Sequence, residues 1–177
     1  FDPDLYDPAQ WAKAADEAGM KYFAITTKHH EGFCLWDTHQ TDYKAPNTPA
    51  RRDLLRPMIE AFRARDLKVG LYHSLLDWSH PHYTVDRHHP QRQNKEEIEK
   101  DKQRDLSQYT RYLHAQTEEL VTQYGRIDLM FFDFSIQPGM GLPGKGPEAW
   151  QSEKLIEMVR RHQPGIIAIT FKVYLAA

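Results

Sequence analysis

The segment most informative about the fold reads Arg126-Ile127-Asp128-Leu129-Met130-Phe131-Phe132-Asp133-Phe134-Ser135. Five of the six residues from Ile127 to Phe132 are large and apolar, which predicts a buried β-strand. Asp133 follows directly, between two phenylalanines, where burying a bare carboxylate would be costly. Chemistry collects at the carboxyl ends of strands in parallel α/β folds, so Asp133 is a candidate catalytic carboxylate. A strand-end aspartate that merely caps the next turn is the structural alternative.

Two other predicted strands also end in polar groups. The strand at 21–27 is followed by Lys28-His29-His30-Glu31-Gly32-Phe33-Cys34-Leu35-Trp36-Asp37-Thr38. The strand at 68–72 is followed by His73-Ser74-Leu75-Leu76-Asp77-Trp78. Aromatic side chains among charged and imidazole groups are typical of a pocket for a small polar ligand. The sequence therefore predicts one site at the ends of three strands.

Helices are predicted between these strands. Asp7 and Pro8 begin the first helix, Gly19 ends it, and its apolar stripe is predicted to be Trp11, Ala14, Ala15 and Ala18. Further helices are predicted over 54–65, 95–124 and 147–162, loops over 81–94 and 137–147, and a last strand over 166–169. This alternation predicts a parallel sheet with helices outside. Doubly wound sheets and (β/α)8 barrels both fit, and a complete barrel takes about 250 residues.

Composition narrows the function classes. The 177-residue chain has 40% hydrophobic and 27% charged residues, which predicts one soluble globular domain. Its net charge of -2 does not indicate the basic surface that binds nucleic acid. No apolar run approaches the roughly 20 residues that are needed to cross a membrane. The single cysteine, Cys34, excludes an internal disulfide. Without an N-terminal Met or a signal peptide, we interpret the chain as a fragment whose compartment is unknown.

These motifs together resemble the α-L-fucosidases of glycoside hydrolase family 29. The segment from Lys28 to Trp36 is similar to the family signature K-H-H-(D/E)-G-F. The similarity runs from about Phe1 to Ile167, through Arg52-Asp53-Leu54, Gly70-Leu71-Tyr72-His73-Ser74, Asp77-Trp78, Glu119-Leu120, Tyr124-Gly125 and Phe132-Asp133. The resemblance implies an α/β fold, a partial (half) (β/α)8 TIM-like barrel with parallel strands and outer helices, over residues 1–169. Residues 170–177 form an atypical C-terminal tail that resembles nothing we can place.

The resemblance also implies roles for individual residues. Asp133 falls on the family's nucleophile, which forms a covalent glycosyl-enzyme intermediate and hydrolyses α-L-fucosides with retention. The expected sugar-binding residues are the histidine pair His29 and His30, the strand-end pair Tyr72 and His73, and the two tryptophans Trp36 and Trp78. The family's general acid/base, usually a glutamate, lies beyond the nucleophile on a variable loop. A fucosylated glycan or glycoside is the expected partner, and no cofactor, metal, nucleic acid or membrane is expected.

Alternatives remain open from the residues themselves. Retaining hydrolysis needs two carboxyl groups about 5–5.5 Å apart, and the candidates beside Asp133 are Glu31, Asp77, Glu148 and Glu153. Each of the four more often forms a salt bridge or a cap, so the acid/base stays unassigned. A metal-dependent barrel hydrolase could use His29, His30, His73 and Asp133 as ligands. Strand geometry disfavours it, because adjacent strand residues point to opposite faces. An inactive or sugar-binding-only truncated barrel is the third hypothesis.

A half barrel also predicts that the chain forms an oligomer. Four parallel strands leave two open edges and an apolar inner face, which proteins in water normally cover. We therefore expect a homo-oligomer whose interface is apolar and on the order of 2,000 Å² or more.

Overall fold

A computed structural model describes residues 1–172 as one parallel sheet flanked by helices. The strands are β1 (Tyr22–Lys28), β2 (Lys68–Ser74), β3 (Leu129–Ser135) and β4 (Ile167–Lys172). The helices are α1 (Pro8–Glu17), α2 (Leu55–Arg63), α3 (Lys95–Lys100), α4 (Leu106–Gln123), α5 (Pro147–Trp150) and α6 (Ser152–His162), with short 3-10 turns at Ala45–Asn47 and Asp101–Gln103. The strands lie in the order β1-β2-β3-β4 and every neighbouring pair is parallel. The predicted α/β architecture is confirmed.

The two faces of the sheet differ in what covers them. Alternate strand residues such as Val69, Leu71 and Met130 are fully buried in a core shared with helices α2, α4 and α6. The opposite face, which would form the inside of a barrel, is open. Tyr22 is 65% exposed and Ile167 is 59% exposed on this inner face. Because side chains alternate across a strand, neighbouring residues in the regular parts of β1, β2 and β3 face the covered side and the open side in turn.

Two predicted helices are each divided in the structure. The charged run from residue 95 does not start one long helix. The chain leaves the helix at Arg104 (φ -84°, ψ 139°), and Asp105 caps α4 by accepting a hydrogen bond from the Ser107 N–H. Asp side chains compete for nearby backbone N–H groups in this way. The predicted helix 147–162 breaks at Gln151, which adopts a left-handed conformation. There the Trp150 carbonyl accepts a hydrogen bond from His114 of α4.

Of the apolar stripe predicted for the first helix, only Ala15 is buried. The buried residues of this helix are Ala12 and Ala15, whereas Trp11 is 42% exposed and packs edge-on against Tyr6. The small alanines let α1 approach α2, where Phe62 belongs to the same cluster.

The predicted loop 81–94 contains no helix or strand. The predicted loop 137–147 contains none either, apart from Pro147, the first residue of α5. The first three residues of the predicted tail 170–177 continue β4, and 173–177 lie outside the described residues. Within residues 1–172, none of the helices combines the length and apolarity needed to cross a membrane.

A matched pair of glycine substitutions tests the close approach of β1 and β2. A Cβ added at Gly70, in the middle of the sheet, would lie 2.9 Å from the Phe23 carbonyl oxygen, which is rigid backbone. We expect Gly70→Ala to lower the free energy of unfolding by about 1–3 kcal/mol because the strands must separate. Gly165→Ala is the control, since nothing lies within 4 Å of its added Cβ. Urea denaturation that gives equal stabilities for the two variants would contradict this packing.

Candidate active site

The candidate site lies at the carboxyl ends of β1, β2 and β3, on the open inner face. The Tyr72 hydroxyl, from β2, donates a hydrogen bond to Oδ2 of Asp133, from β3, at 2.8 Å. Both side chains are half-buried. Burial, and then the hydrogen bond to the carboxylate, raise the pKa of Tyr72 above its ordinary value. Tyr72 therefore remains a protonated donor that fixes the orientation of the Asp133 carboxylate.

A backbone irregularity sits directly beside Asp133. The pairing of β3 with β4 shifts between Phe132 and Ser135, and Phe134 has φ of +74°. A bulged strand turns its side chains away from the regular alternation. A non-glycine residue held in the left-handed region costs about 1–3 kcal/mol and persists only where its surroundings impose it. The sequence carried no signal for this bulge.

The two histidines lie together against Tyr72. They follow the last residue of β1, and their rings stack with centroids 3.9 Å apart. The His29 ring also stacks on Tyr72, at 5.8 Å. Strand alternation does not separate His29 from His30, contrary to the argument from sequence, because both lie beyond the strand end. Asp133, Tyr72, His29 and His30 thus form one cluster.

His30 is the more buried histidine of the pair. Its Nδ1 lies 2.6 Å from Ser74 Oγ, and its ring makes edge contacts with Trp78 and Phe134. Burial, followed by the charge of His29, lowers the pKa of His30 to about 4. His30 is therefore a neutral imidazole at neutral pH, with one nitrogen that donates and one that accepts.

The structure contradicts two of the predicted sugar contacts, His73 and Trp36. His73 alternates with Tyr72 along β2, so it points to the helix-covered face, where it is fully buried with Nδ1 2.8 Å from Thr27 Oγ1. Trp36 is also fully buried, and its indole N–H donates to Glu119. Both residues belong to the core, and their predicted role is wrong. Trp78 is half-buried beside His30 and stays available to the site.

A buried ion pair, which was not predicted from the sequence, connects two segments of the site. Lys28 Nζ lies 3.1 Å from Asp77 Oδ2, and both side chains are at most 1% exposed. The backbone N–H of Trp78 donates to the His30 carbonyl at 2.8 Å. Gly32, with φ of +90°, leaves room for the Asp77 carboxylate, which a Cβ at that position would approach to 2.3 Å. The segments that follow β1 and β2 are therefore joined into one unit. A lysine at a strand end, followed later by an Asp-Trp pair, was the available signal.

None of the four candidates for the second carboxylate has surroundings that single it out as the general acid/base. Asp77 is committed to Lys28. Glu31 is exposed and lies 3.3 Å from His29, oxygen to nitrogen. Glu148 and Glu153 are exposed in the first turns of α5 and α6, as expected for carboxylates near helix N-termini. The acid/base therefore remains unassigned.

The geometry also bears on the metal hypothesis. Across residues 1–172, no three His, Cys, Asp or Glu side chains come together in an arrangement that could hold a metal ion. His29, His30, His73 and Asp133 consequently do not form the ligand set that this hypothesis requires.

Comparison with known proteins agrees with this fold. The chain belongs to the alpha-L-fucosidase family, whose model matches residues 1–172. It is similar to the tissue alpha-L-fucosidase of Mus musculus, with 41% identity over 88 residues, which is 49% of this chain and 20% of the mouse protein. The predicted family resemblance is confirmed.

Solved structures show the same relationship over most of the chain. Alpha-L-fucosidase isoenzyme 1 from Paenibacillus thiaminolyticus superposes with a TM-score of 0.87 and 50% identity, over 95% of this chain and 38% of that one. A family 29 alpha-L-fucosidase from Bacteroides thetaiotaomicron, solved as a trapped covalent intermediate, gives a TM-score of 0.76 and 33% identity, over 94% of this chain and 35% of that one. The chain thus spans well under half the length of these relatives, and the half-barrel interpretation is confirmed.

The low pKa of His30 predicts how stability depends on pH. Because the folded state holds this pKa near 4, against 6.5 for an ordinary histidine, the unfolded chain binds the proton first as pH falls. Stability should therefore decrease as pH falls from about 6.5 to about 4. In His30→Gln this decrease should be smaller, as measured by urea denaturation across that range. An NMR titration that places the His30 pKa near 6.5 would contradict the burial described here.

Proposed function

We propose that the chain carries the nucleophile half of a retaining α-L-fucosidase site, with Asp133 as the nucleophile. The observation that carries the proposal is the position of Asp133 at the end of β3, on the inner face. There its Oδ2 is held by Tyr72, His29 stacks on the same tyrosine, and His30 stacks on His29. Family membership supports the substrate class. The Bacteroides structure, described as a trapped covalent intermediate with 2-fluoro-fucosyl fluoride, supports the covalent route.

The proposed reaction has two steps. A carboxylate oxygen of Asp133 attacks the anomeric carbon of an α-L-fucoside, and the bond from that carbon to the leaving oxygen breaks as the oxygen takes up a proton. Water then attacks the same carbon and gives up a proton, which replaces the one taken up in the first step. The bond from that carbon to the Asp133 oxygen breaks, fucose and the free carboxylate are released, and the configuration is retained overall. Because Tyr72 binds Oδ2, it orients Oδ1 for the attack. The chemistry needs this prior alignment, since a well-oriented nucleophile avoids much of the entropic barrier.

The histidine pair is proposed to bind the hydroxyl groups of fucose. Ser74 Oγ accepts a hydrogen bond from the Leu76 N–H, and it can donate its own proton to Nδ1 of His30. His30 Nε2–H then serves as a donor to a sugar oxygen. His29 is half-exposed above Tyr72 and supplies a second contact. Trp78 would cover the apolar side of the sugar.

A sugar-binding protein without turnover is the second candidate. It is favoured by the surroundings of the four carboxylates, since Asp77 is ion-paired with Lys28 and the other three are exposed to solvent. An aryl α-L-fucoside separates the two candidates, because its good leaving group needs little acid assistance. Turnover of this substrate supports the hydrolase, and binding without turnover supports the alternative.

Replacement of Asp133 tests the nucleophile directly. We expect Asp133→Ala to lower turnover of an aryl fucoside by more than about a thousandfold, because it removes the covalent catalyst. Added azide should partly restore turnover by entering the vacated space.

Asp128→Ala is the matched control at the other end of the β3 segment, where the carboxylate accepts a hydrogen bond from the Val69 N–H. This variant should lose stability but keep most of its activity. If Asp133→Ala retained more than about a tenth of wild-type turnover, equivalent to less than about 1.4 kcal/mol in the barrier, Asp133 would not be the nucleophile.

We also propose that a second copy of the chain covers the open inner face. Tyr22, Ile167 and Ile169 are between 41% and 65% exposed there, at the two edges of the sheet. A two-fold axis would bury this surface against itself. Light scattering during size-exclusion chromatography should give at least twice the monomer mass, and Ile169→Glu should shift the protein towards the monomer. A well-folded wild-type monomer at micromolar concentration would contradict the proposal.

A further inference from the structure

We propose that Arg87 and His88 form a subsite for the leaving group of the fucoside, and that this subsite selects a sugar over an aryl leaving group. The inference rests on the proposed function, and it concerns residues of the long loop between β2 and α3 to which nothing above gives a role. Its support comes from the position of the loop, the buried groups that fix it and the donors that it presents.

The loop reaches the rim of the Asp133 site. The His88 ring contacts the Phe134 ring in an edge-on arrangement, with centroids 5.4 Å apart. The His30 ring contacts the same phenylalanine, at 4.8 Å. Phe134 directly follows Asp133, so one aromatic ring beside the nucleophile has a histidine from each of two loops against it.

A second buried ion pair fixes this loop in place. Asp86 is fully buried, and its Oδ1 accepts hydrogen bonds from the backbone N–H groups of His88 and His89, at 2.8 and 3.1 Å. Its Oδ2 accepts from the Tyr83 hydroxyl at 2.6 Å and from Lys145 Nζ at 2.7 Å. Lys145 belongs to the loop that follows β3. Because a buried charge pair keeps its partners only with good geometry, the two loops are clamped together and His88 is held in a defined place.

Arg87 and His88 present hydrogen-bond donors in a fixed arrangement. Arg87 Nε–H donates to His88 Nε2 at 3.2 Å, so Nε2 is the acceptor and Nδ1 carries the proton. Burial, and then the charge of Arg87, lower the pKa of His88, which keeps the ring neutral. The Arg87 side chain packs over Gly139, where an added Cβ would lie 3.1 Å from its Cδ. Both side chains remain half-buried rather than enclosed.

The position of the pair indicates which part of the substrate it meets. Tyr72 and Asp133 are strand residues at the floor of the site, and the sugar ring must sit on them for Asp133 to reach its anomeric carbon. Arg87 and His88 come from a different loop from the histidine pair, and the His88 ring contacts the Phe134 ring beside Asp133. A group attached to the sugar and leaving the floor passes this rim. Hydroxyl and ring oxygens of a second sugar would accept from the Arg87 guanidinium and the His88 Nδ1–H, and an aryl group offers no comparable set of acceptors.

Paired substrates test the subsite. We would measure kcat/KM of the wild-type protein, Arg87→Ala and His88→Ala for an aryl α-L-fucoside and for a panel of fucosyl disaccharides of different linkage. For the disaccharide that the wild type cleaves best, each variant should lose about tenfold or more, the effect of one lost charged or well-placed hydrogen bond. The aryl fucoside should change by less than about twofold, since chemistry and fucose binding are intact. Inhibition by free fucose should also be unchanged.

His82→Ala is the matched control, a histidine of the same loop whose Nδ1 accepts from the Asp105 N–H instead of facing Phe134. It should leave both substrates unaffected. Equal losses on the aryl fucoside and the disaccharide, or weaker inhibition by fucose, would overturn the proposal, as would no loss on either substrate. A wild type that cleaves aryl fucosides and none of the disaccharides would also overturn it. Failure of the wild type on every fucoside would instead contradict the proposed function, and the subsite with it.

Discussion

Lys28 and Asp77 carry full charges into the interior directly beneath the candidate site, and the arrangement above them depends on their pairing. Removing one partner of such a pair costs about 3–5 kcal/mol, because the other charge is left buried alone. Here the ammonium group also lies 5.5 and 5.4 Å from the ring centres of Tyr109 and Tyr112. Asp77 Oδ1 further accepts hydrogen bonds from the loop that follows it. The pair therefore ties the histidine segment to the Trp78 segment.

A second buried ion pair, Asp86 with Lys145, connects the next two segments along the sheet in the same way. It joins the segment after β2 to the segment after β3, as the first pair joins the segments after β1 and β2. Three successive strand ends are thus linked by two buried charge pairs. Loops are ordinarily the mobile part of a fold. Here the loop side chains proposed to contact the substrate lie on segments that the two buried ion pairs hold in place. This is the condition for a preorganised site.

The sequence predicted the sheet because its strands follow a simple physical rule. The apolar run before Asp133 had to be buried, and the polar groups after three strands had to meet at one edge. Alternation along β2 also determines that Tyr72 and His73 face opposite sides, and applying it to that pair would have removed His73 from the predicted sugar contacts. Trp36 could not be placed in the same way, because it lies beyond the strand and its burial depends on Glu119 of a distant helix.

Other features of the structure could not be predicted from the local sequence. The φ of +74° at Phe134 is imposed by tertiary contacts, and nothing about a phenylalanine suggests it. The break at Arg104 depends on whether Asp105 caps a helix or continues one, and both are compatible with the charged run. The buried lysines contradict the usual preference of that residue for solvent. Lys28 left a signal in its position at a strand end, whereas Lys145 lies in an irregular loop and could be assigned only when Asp86 was seen beside it.

Asp133 is the side chain proposed to form the covalent bond to the sugar. Incubation with 2-fluoro-fucosyl fluoride, followed by proteolysis and mass spectrometry, tests this proposal most directly, because the fluorine slows release of the sugar from a covalent intermediate. We expect one fluorofucosyl group per active chain, attached to the peptide that contains Asp133 and absent from Asp133→Asn. A sugar attached to any other carboxylate, or a protein that turns over fucosides with no adduct at Asp133, would contradict it.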